Sequence, residues 1–169
     1  MGNIKRLTAR TVALIVLGAC GFATSLVFAG AVFATDTTIT TTTETTAPQG
    51  CTPGYWKNHV ESWAPTGYSP SQRLDTVFSP AGLDSLGSAS LLDALSFKGG
   101  STVTAAKQIM LRAAVASVLS AAHPGIHFGP SAAVVIGAAN FGLRSGIREG
   151  ILDMGAQFDA LNNAGCPLN

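Results

Sequence analysis

The residues able to do chemistry are few, and most lie in one stretch. All the tyrosine and tryptophan of the chain, Tyr55, Trp56, Trp63 and Tyr68, falls within fourteen residues, with Lys57, Asn58 and His59 among them. Rings with polar edges stack on sugar faces or anchor a protein partner, and the amine, amide and imidazole beside them supply hydrogen bonds. Tyr55, Trp56, Lys57, His59, Trp63 and Tyr68 are therefore the candidate binding residues. The competing expectation is that these rings plug one end of a hydrophobic core while their polar tips find backbone partners.

Other constellations carry less. His59, His123 and His127 are the only histidines, and three imidazoles suit zinc. His123 and His127, however, straddle the helix stop Pro124-Gly125, so they do not share a helical face; capping of a helix end by His123 is the preferred role. Gly142-Leu143-Arg144-Ser145-Gly146 lacks the Gly-x-Ser-x-Gly spacing of a nucleophile elbow. Glu149, Asp153 and Asp159 read as the solvated face of a helix and not as paired catalytic carboxylates. No catalytic residue, metal ligand or cofactor is assigned.

Three cysteines are present, at 20, 51 and 166. Cys20 lies inside an apolar leader, which leaves Cys51 and Cys166 for the folded region they flank. A disulfide between them is expected in an oxidising compartment, with Cα atoms about 4.4 to 6.8 Å apart. Two free thiols, or a zinc held by Cys51, His59 and Cys166, are the alternatives. Thiols close enough to share a metal outside the cell would tend to oxidise instead.

The elements that would position these residues follow a simple order. Residues 1–10 are polar and basic, and residues 11–34 contain no charge, the order of a secretory signal peptide. Cleavage is expected after Ala31 or Ala34. An uncleaved leader would be long enough to anchor the chain in a membrane with the domain outside. Leu17-Gly18-Ala19-Cys20 has the form of a lipobox, but the residues after Cys20 stay apolar where a lipoprotein turns polar. Residues 35–49 hold nine threonines in fifteen positions and read as a tether, open to O-glycosylation or bare. Residues 50–169 form the single domain that this length allows.

Charged residues are only 11% of the chain and mean hydropathy is +0.35. Ten basic residues less the three of the leader leave seven, against nine acidic, a balance of −2. Such a chain offers no basic field for nucleic acid.

Within the domain the expected fold is all-α: a compact bundle of about five helices behind an irregular, aromatic-rich lead-in from Cys51 to Tyr68, closed by the disulfide. Ser69-Pro70-Ser71-Gln72 predicts a short helix through Phe78. Ser90 and Asp93 predict a capping box for a second, ended by Gly99-Gly100. A central helix is predicted from Thr104 to His123, and a fourth from Ser131 to Arg144 whose alanine and glycine imply close approach to a neighbour. In the fifth, Ile147, Ile151, Met154, Phe158 and Leu161 recur at helical spacing, with Gly165 as the left-handed cap.

Cys51-Thr52-Pro53-Gly54-Tyr55-Trp56-Lys57-Asn58-His59 and the ending Asn162-Asn163-Ala164-Gly165-Cys166-Pro167-Leu168 resemble a group of secreted microbial proteins bearing a CxPGYWKxH motif. The resemblance implies a disulfide-bounded extracellular module, and it carries over no catalytic residue. The expected role is a non-enzymatic secreted or cell-surface module for adhesion, envelope structure or assembly with like copies. Its partners would be a glycan, a surface protein or itself. The alternatives are a secreted hydrolase or metal-dependent enzyme centred on His59, and a carbohydrate-binding module.

Overall fold

A computed structural model describes residues 47–169. The leader, Cys20 and the tether up to residue 46 lie outside the described residues. Among the described residues there are five α-helices and no strand: α1 (Pro53–Asn58), α2 (Leu91–Ala94), α3 (Val103–Ala122), α4 (Ala132–Ser145) and α5 (Arg148–Asn162). Three 3-10 turns, Val60–Thr66, Leu74–Thr76 and Asp84–Ser88, lie between α1 and α2. None of these helices is long and apolar enough to cross a membrane.

α3 is the axis of the bundle. Thr102 caps it by accepting from the Ala105 N–H, and its buried residues, Met110, Leu111, Val115, Val118 and Leu119 among them, point to every side. No single stripe can form on such a helix, so it must be surrounded. α5 lies along it most extensively and α4 beside both. Gly142 and Gly155 make this approach possible: a Cβ on Gly142 would meet Met110 Sδ at 2.9 Å, and one on Gly155 would meet Met110 Cα at 3.2 Å. The close contact expected of α4 is thus made at Gly142 and at buried Val135, Ala139 and Leu143. Along α5 the stripe holds at Ile151 and Phe158, which are buried, but Ile147 is 62% exposed. Ile147 occupies the N-cap, one residue before the helical face begins.

Three expected elements differ. The predicted helix through Phe78 is replaced by a turn at Pro70-Ser71 and the 3-10 turn Leu74–Thr76. Tertiary pairing prevails there: Arg73 bridges Ser90, the Leu74 N–H donates to the Ala89 carbonyl at 2.9 Å, and the Leu91 N–H donates to the Gln72 carbonyl at 2.8 Å. A helix of nine residues has too little stability of its own to resist such capture. The lead-in, expected to be irregular, contains α1, with the Thr52 hydroxyl accepting from the Tyr55 N–H and Pro53 in the first turn. α2 carries the predicted capping box, in which the Ser90 and Asp93 side chains each bond the other's backbone N–H, but it ends at Ala94, before Gly99.

The chain ends meet. Cys51 and Cys166 are bonded to each other with Cα atoms 4.5 Å apart, inside the predicted range. Next to the bond, the Gly50 N–H donates to the Gly165 carbonyl at 3.0 Å. Gly50 must be glycine, because a Cβ there would lie 2.2 Å from the Leu161 carbonyl oxygen. Gly165 has φ +108°, yet it serves this bridge; the C-cap of α5 is Asn163. The closure reaches into the end of the expected tether: the Gln49 N–H donates to the His127 carbonyl at 2.8 Å, and Gln49 Oε1 accepts from the His127 N–H at 3.1 Å. A disulfide of this kind belongs to an oxidising environment.

Candidate functional site

The six aromatic-stretch residues do not form one face. Trp56 is fully buried and Trp63 is 1% exposed, so neither ring is available for stacking on a ligand. They pack edge to face with centroids 6.5 Å apart, and both indole N–H groups are satisfied inside. Trp56 Nε1 donates to Ser120 Oγ at 3.1 Å, and Trp63 Nε1 donates to the Trp56 carbonyl at 2.9 Å. The plug, not the platform, is the role of these two residues. Tyr68 is half-buried against the core, and Lys57 and His59 are exposed.

Beneath the plug lies a polar network that the sequence analysis did not single out. The Ser120 hydroxyl of α3 accepts from the Cys51 N–H at 3.1 Å as well as from Trp56, and it reaches the Cys51 carbonyl at 3.4 Å. One turn earlier, the Ser117 hydroxyl donates to Asn162 Oδ1 at 3.0 Å, while Asn162 Nδ2 donates to the Ala113 carbonyl at 2.9 Å. All three polar residues are 0% exposed, and each is satisfied, as buried polar groups must be. Ser117 and Ser120 stand three apart in an otherwise alanine-rich and aliphatic turn, which is the signal that marks them.

What the stretch presents to solvent is its polar side. Tyr55, Asn58 and His59 line a cleft of about 360 Å³ with Thr52, Asn163 and Asn169, beside the disulfide. The Tyr55 and His59 rings stack at 4.5 Å and 22°. The Tyr55 hydroxyl donates to the Leu168 carbonyl at 3.3 Å and shares a 3.1 Å hydrogen bond with Ser62 Oγ, so the carboxy-terminal segment is strapped to α1. His59 Nδ1 bonds Glu61 Oε1 at 2.9 Å. The Glu61 carboxyl is held below its ordinary value by its own backbone N–H first and by the His59 ring second. Apart from His59 and its Glu61 partner, the side chains that line the cleft are uncharged, with amide and hydroxyl groups that both donate and accept. The sequence marks Asn58 as a hydrogen-bonding amide beside the rings, but it assigns no role to Asn163 and Asn169, because only the closure brings the two ends of the domain together.

Among the described residues, no three His, Cys, Asp or Glu side chains gather as a ligand set. His123 takes the helix-end position expected of it: it is the C-cap of α3, and its Nδ1 accepts from the Gly125 N–H at 3.1 Å. Its ring sits 6.0 Å from that of Trp56. Glu149 and Asp153 are exposed as expected, but Asp159 is half-buried, and burial pushes its carboxyl up against the opposing pull of Arg112.

Burial pulls His123 below its ordinary value of 6.5, and this has a consequence for stability. As pH falls, the unfolded chain binds the proton first, so the stability present above 6.5 declines as pH drops through 6.5 toward the lower folded value. Protonation would also abolish the acceptor that the Gly125 N–H uses. Urea unfolding at pH 7.5 and pH 5 is expected to show a smaller pH-dependent loss in His123→Gln than in the wild type. Equal losses in the two proteins would remove His123 as a cause.

Comparisons with protein-family models, with curated proteins and with solved structures found no match.

Proposed function

We propose that this chain is a non-enzymatic, exported module that binds a neutral glycan at the cell surface, in adhesion or envelope structure. The observation that supports this reading most is the partition of the Cys51-to-His59 stretch. Its apolar members, Cys51 and Trp56, are spent on the core, while Thr52, Tyr55, Asn58 and His59 converge with Asn163 and Asn169 on one open cleft. Amide and hydroxyl groups in a shallow cleft match the hydroxyls of a sugar, each able to donate or accept as the ligand requires. The disulfide supports export, and the leader and tether read from the sequence supply the route.

A hydrolytic reading centred on His59 receives less support. His59 and Glu61 are both solvent-exposed, and the nearby Ser62 hydroxyl is engaged with Tyr55 and not held by the imidazole that would have to activate it. Assembly with like copies would use another surface. Val134 and Phe141, seven residues apart on α4, are 60% and 69% exposed, which places two large apolar side chains on one side of that helix.

The test is binding of the mature, disulfide-bonded protein to a panel of wall and surface polysaccharides. Asn58→Ala with His59→Ala is expected to weaken retention at least about tenfold while the melting temperature holds. Unchanged retention in that variant, or turnover of a glycan that depends on His59, would overturn the reading.

A further inference from the structure

Charged side chains are scarce in this chain, at 11%, yet three of them line a single groove of about 440 Å³. Each comes from a different helix: Lys57 from α1, Arg112 from α3 and Asp159 from α5, with Leu95, just past α2, as the apolar part of the wall. The ion pairs among the described residues are His59 with Glu61, Arg73 with Asp75 and Lys107 with Asp84. None of them uses a charge of this groove. Arg112 Nη1 reaches only the Phe97 carbonyl, at 3.5 Å.

This arrangement is costly for a fold by itself. Arg112 and Asp159 are both half-buried; the Arg112 charge pulls on the Asp159 carboxyl but the two make no direct ion pair, and a partly desolvated charge without a close partner opposes folding. The burial-driven rise of the Asp159 carboxyl reports that cost. Two cations and one carboxylate at the rim of one groove also restrict what can enter. A simple anion is attracted by Lys57 and Arg112 but repelled by Asp159, and a simple cation meets the reverse. A molecule carrying both signs a few ångströms apart satisfies all three. An arginine is suited to the carboxylate end, since its fork matches two oxygens.

We propose that Lys57, Arg112 and Asp159 form a binding site for a small zwitterion of the α-amino-acid class, its carboxylate held by Arg112 and Lys57 and its ammonium set on Asp159. The site is separate from the neutral cleft, although Thr52, Gly54 and Asn163 border both. It stands or falls independently of the glycan reading.

The experiment is an amide chemical-shift titration of the mature, oxidised protein with glycine, L-alanine and D-alanine, set beside acetate and methylammonium given separately. The amino acids should produce saturable shifts around residues 57, 112 and 159, with affinity at least about tenfold above that of either half-ligand. The comparison of the two alanines shows whether the groove reads the side chain's hand. Asp159→Asn and Lys57→Met should each weaken amino-acid binding about tenfold or more. Asp159→Asn should hold or raise the melting temperature, because it removes a half-buried carboxylate. Arg112 also bonds the Phe97 carbonyl, so these two variants decide the matter. Acetate or methylammonium binding as tightly as the amino acids, shifts that do not saturate or lie outside the groove, or Asp159→Asn with wild-type affinity would each overturn the site. So would Asp159→Asn losing stability in step with affinity, which would make the carboxylate a structural group.

Discussion

The double replacement Cys51→Ala with Cys166→Ala is expected to lower unfolding free energy by roughly 4 to 5 kcal/mol, the chain-entropy value for a loop of this size. The bond joins residues 115 apart, so it spans nearly the whole folded region, and removing it lets the denatured chain expand without restraint. Against a total of about 5 to 15 kcal/mol for a domain of this kind, that loss leaves little. Native ties remain at the same place: the Gly50 to Gly165 bridge, the Gln49 pair with His127 and the Ser120 hold on Cys51. These order the ends only once the domain is folded, whereas the disulfide acts on the unfolded state. Urea titration of the oxidised wild type, Cys51→Ala, Cys166→Ala and the double variant measures the effect. The three variants should lose nearly the same amount, apart from a small extra cost at Cys51, which is fully buried where Cys166 is only partly so. A loss below about 1 kcal/mol would mean that the denatured state is already compact enough to keep the ends together.

Much of this closure was legible in the sequence, because two cysteines at the edges of a folded stretch leave one pairing. α3, α4 and α5 were legible to within a residue or two, since each runs for three or more turns and carries a local signal: Pro124-Gly125 after α3, Pro130-Ser131 before α4, and the apolar spacing along α5. Shorter elements were not. The Ser69-Pro70-Ser71-Gln72 pattern has the residues of a helix start, but Gln72, Arg73 and Leu74 pair instead with Leu91, Ser90 and Ala89. α1 has only six residues, too few to show an apolar period, and its aromatic residues fitted both a core plug and a binding face. Tryptophan in a sequence does not say which way it faces. Here the answer depends on Ser120, 64 residues away from Trp56. Asp159 was placed on a solvated face because helical spacing puts it off the apolar stripe of α5. It borders a groove also lined by Lys57 of α1, Leu95 past α2 and Arg112 of α3, and no local pattern records that.

Trp56→Ala is expected to cost about 3 to 5 kcal/mol, the range for removing a buried aromatic ring. Its ring touches Tyr55, Trp63 and His123 edge-on or tilted, so the cavity would open under three neighbours at once. A helix of six residues has no stability of its own, and Trp56 is the one buried residue of α1. Without it α1 should fray, and Tyr55, Asn58 and His59 would leave the cleft together. Stability and ligand binding would then fall in the same variant, which does not separate packing from recognition. Trp56→Phe does separate them. It keeps most of the ring but removes the Nε1 donor, which leaves Ser120 Oγ with its Cys51 contacts alone; the expected cost is about 1 to 2 kcal/mol on top of the lost volume. Ser120→Ala breaks the same bond from the other side and frees the Cys51 N–H as well. Because the two residues share one hydrogen bond, the double variant Trp56→Phe with Ser120→Ala should cost less than the sum of the singles by about 0.5 kcal/mol or more. Strict additivity would show that the indole and the hydroxyl are neighbours without being partners. Glycan binding measured on Trp56→Phe should stay at the wild-type level, since a ring at 0% exposure offers a ligand nothing to touch. A fall in affinity with stability intact would return Trp56 from the core to the binding face.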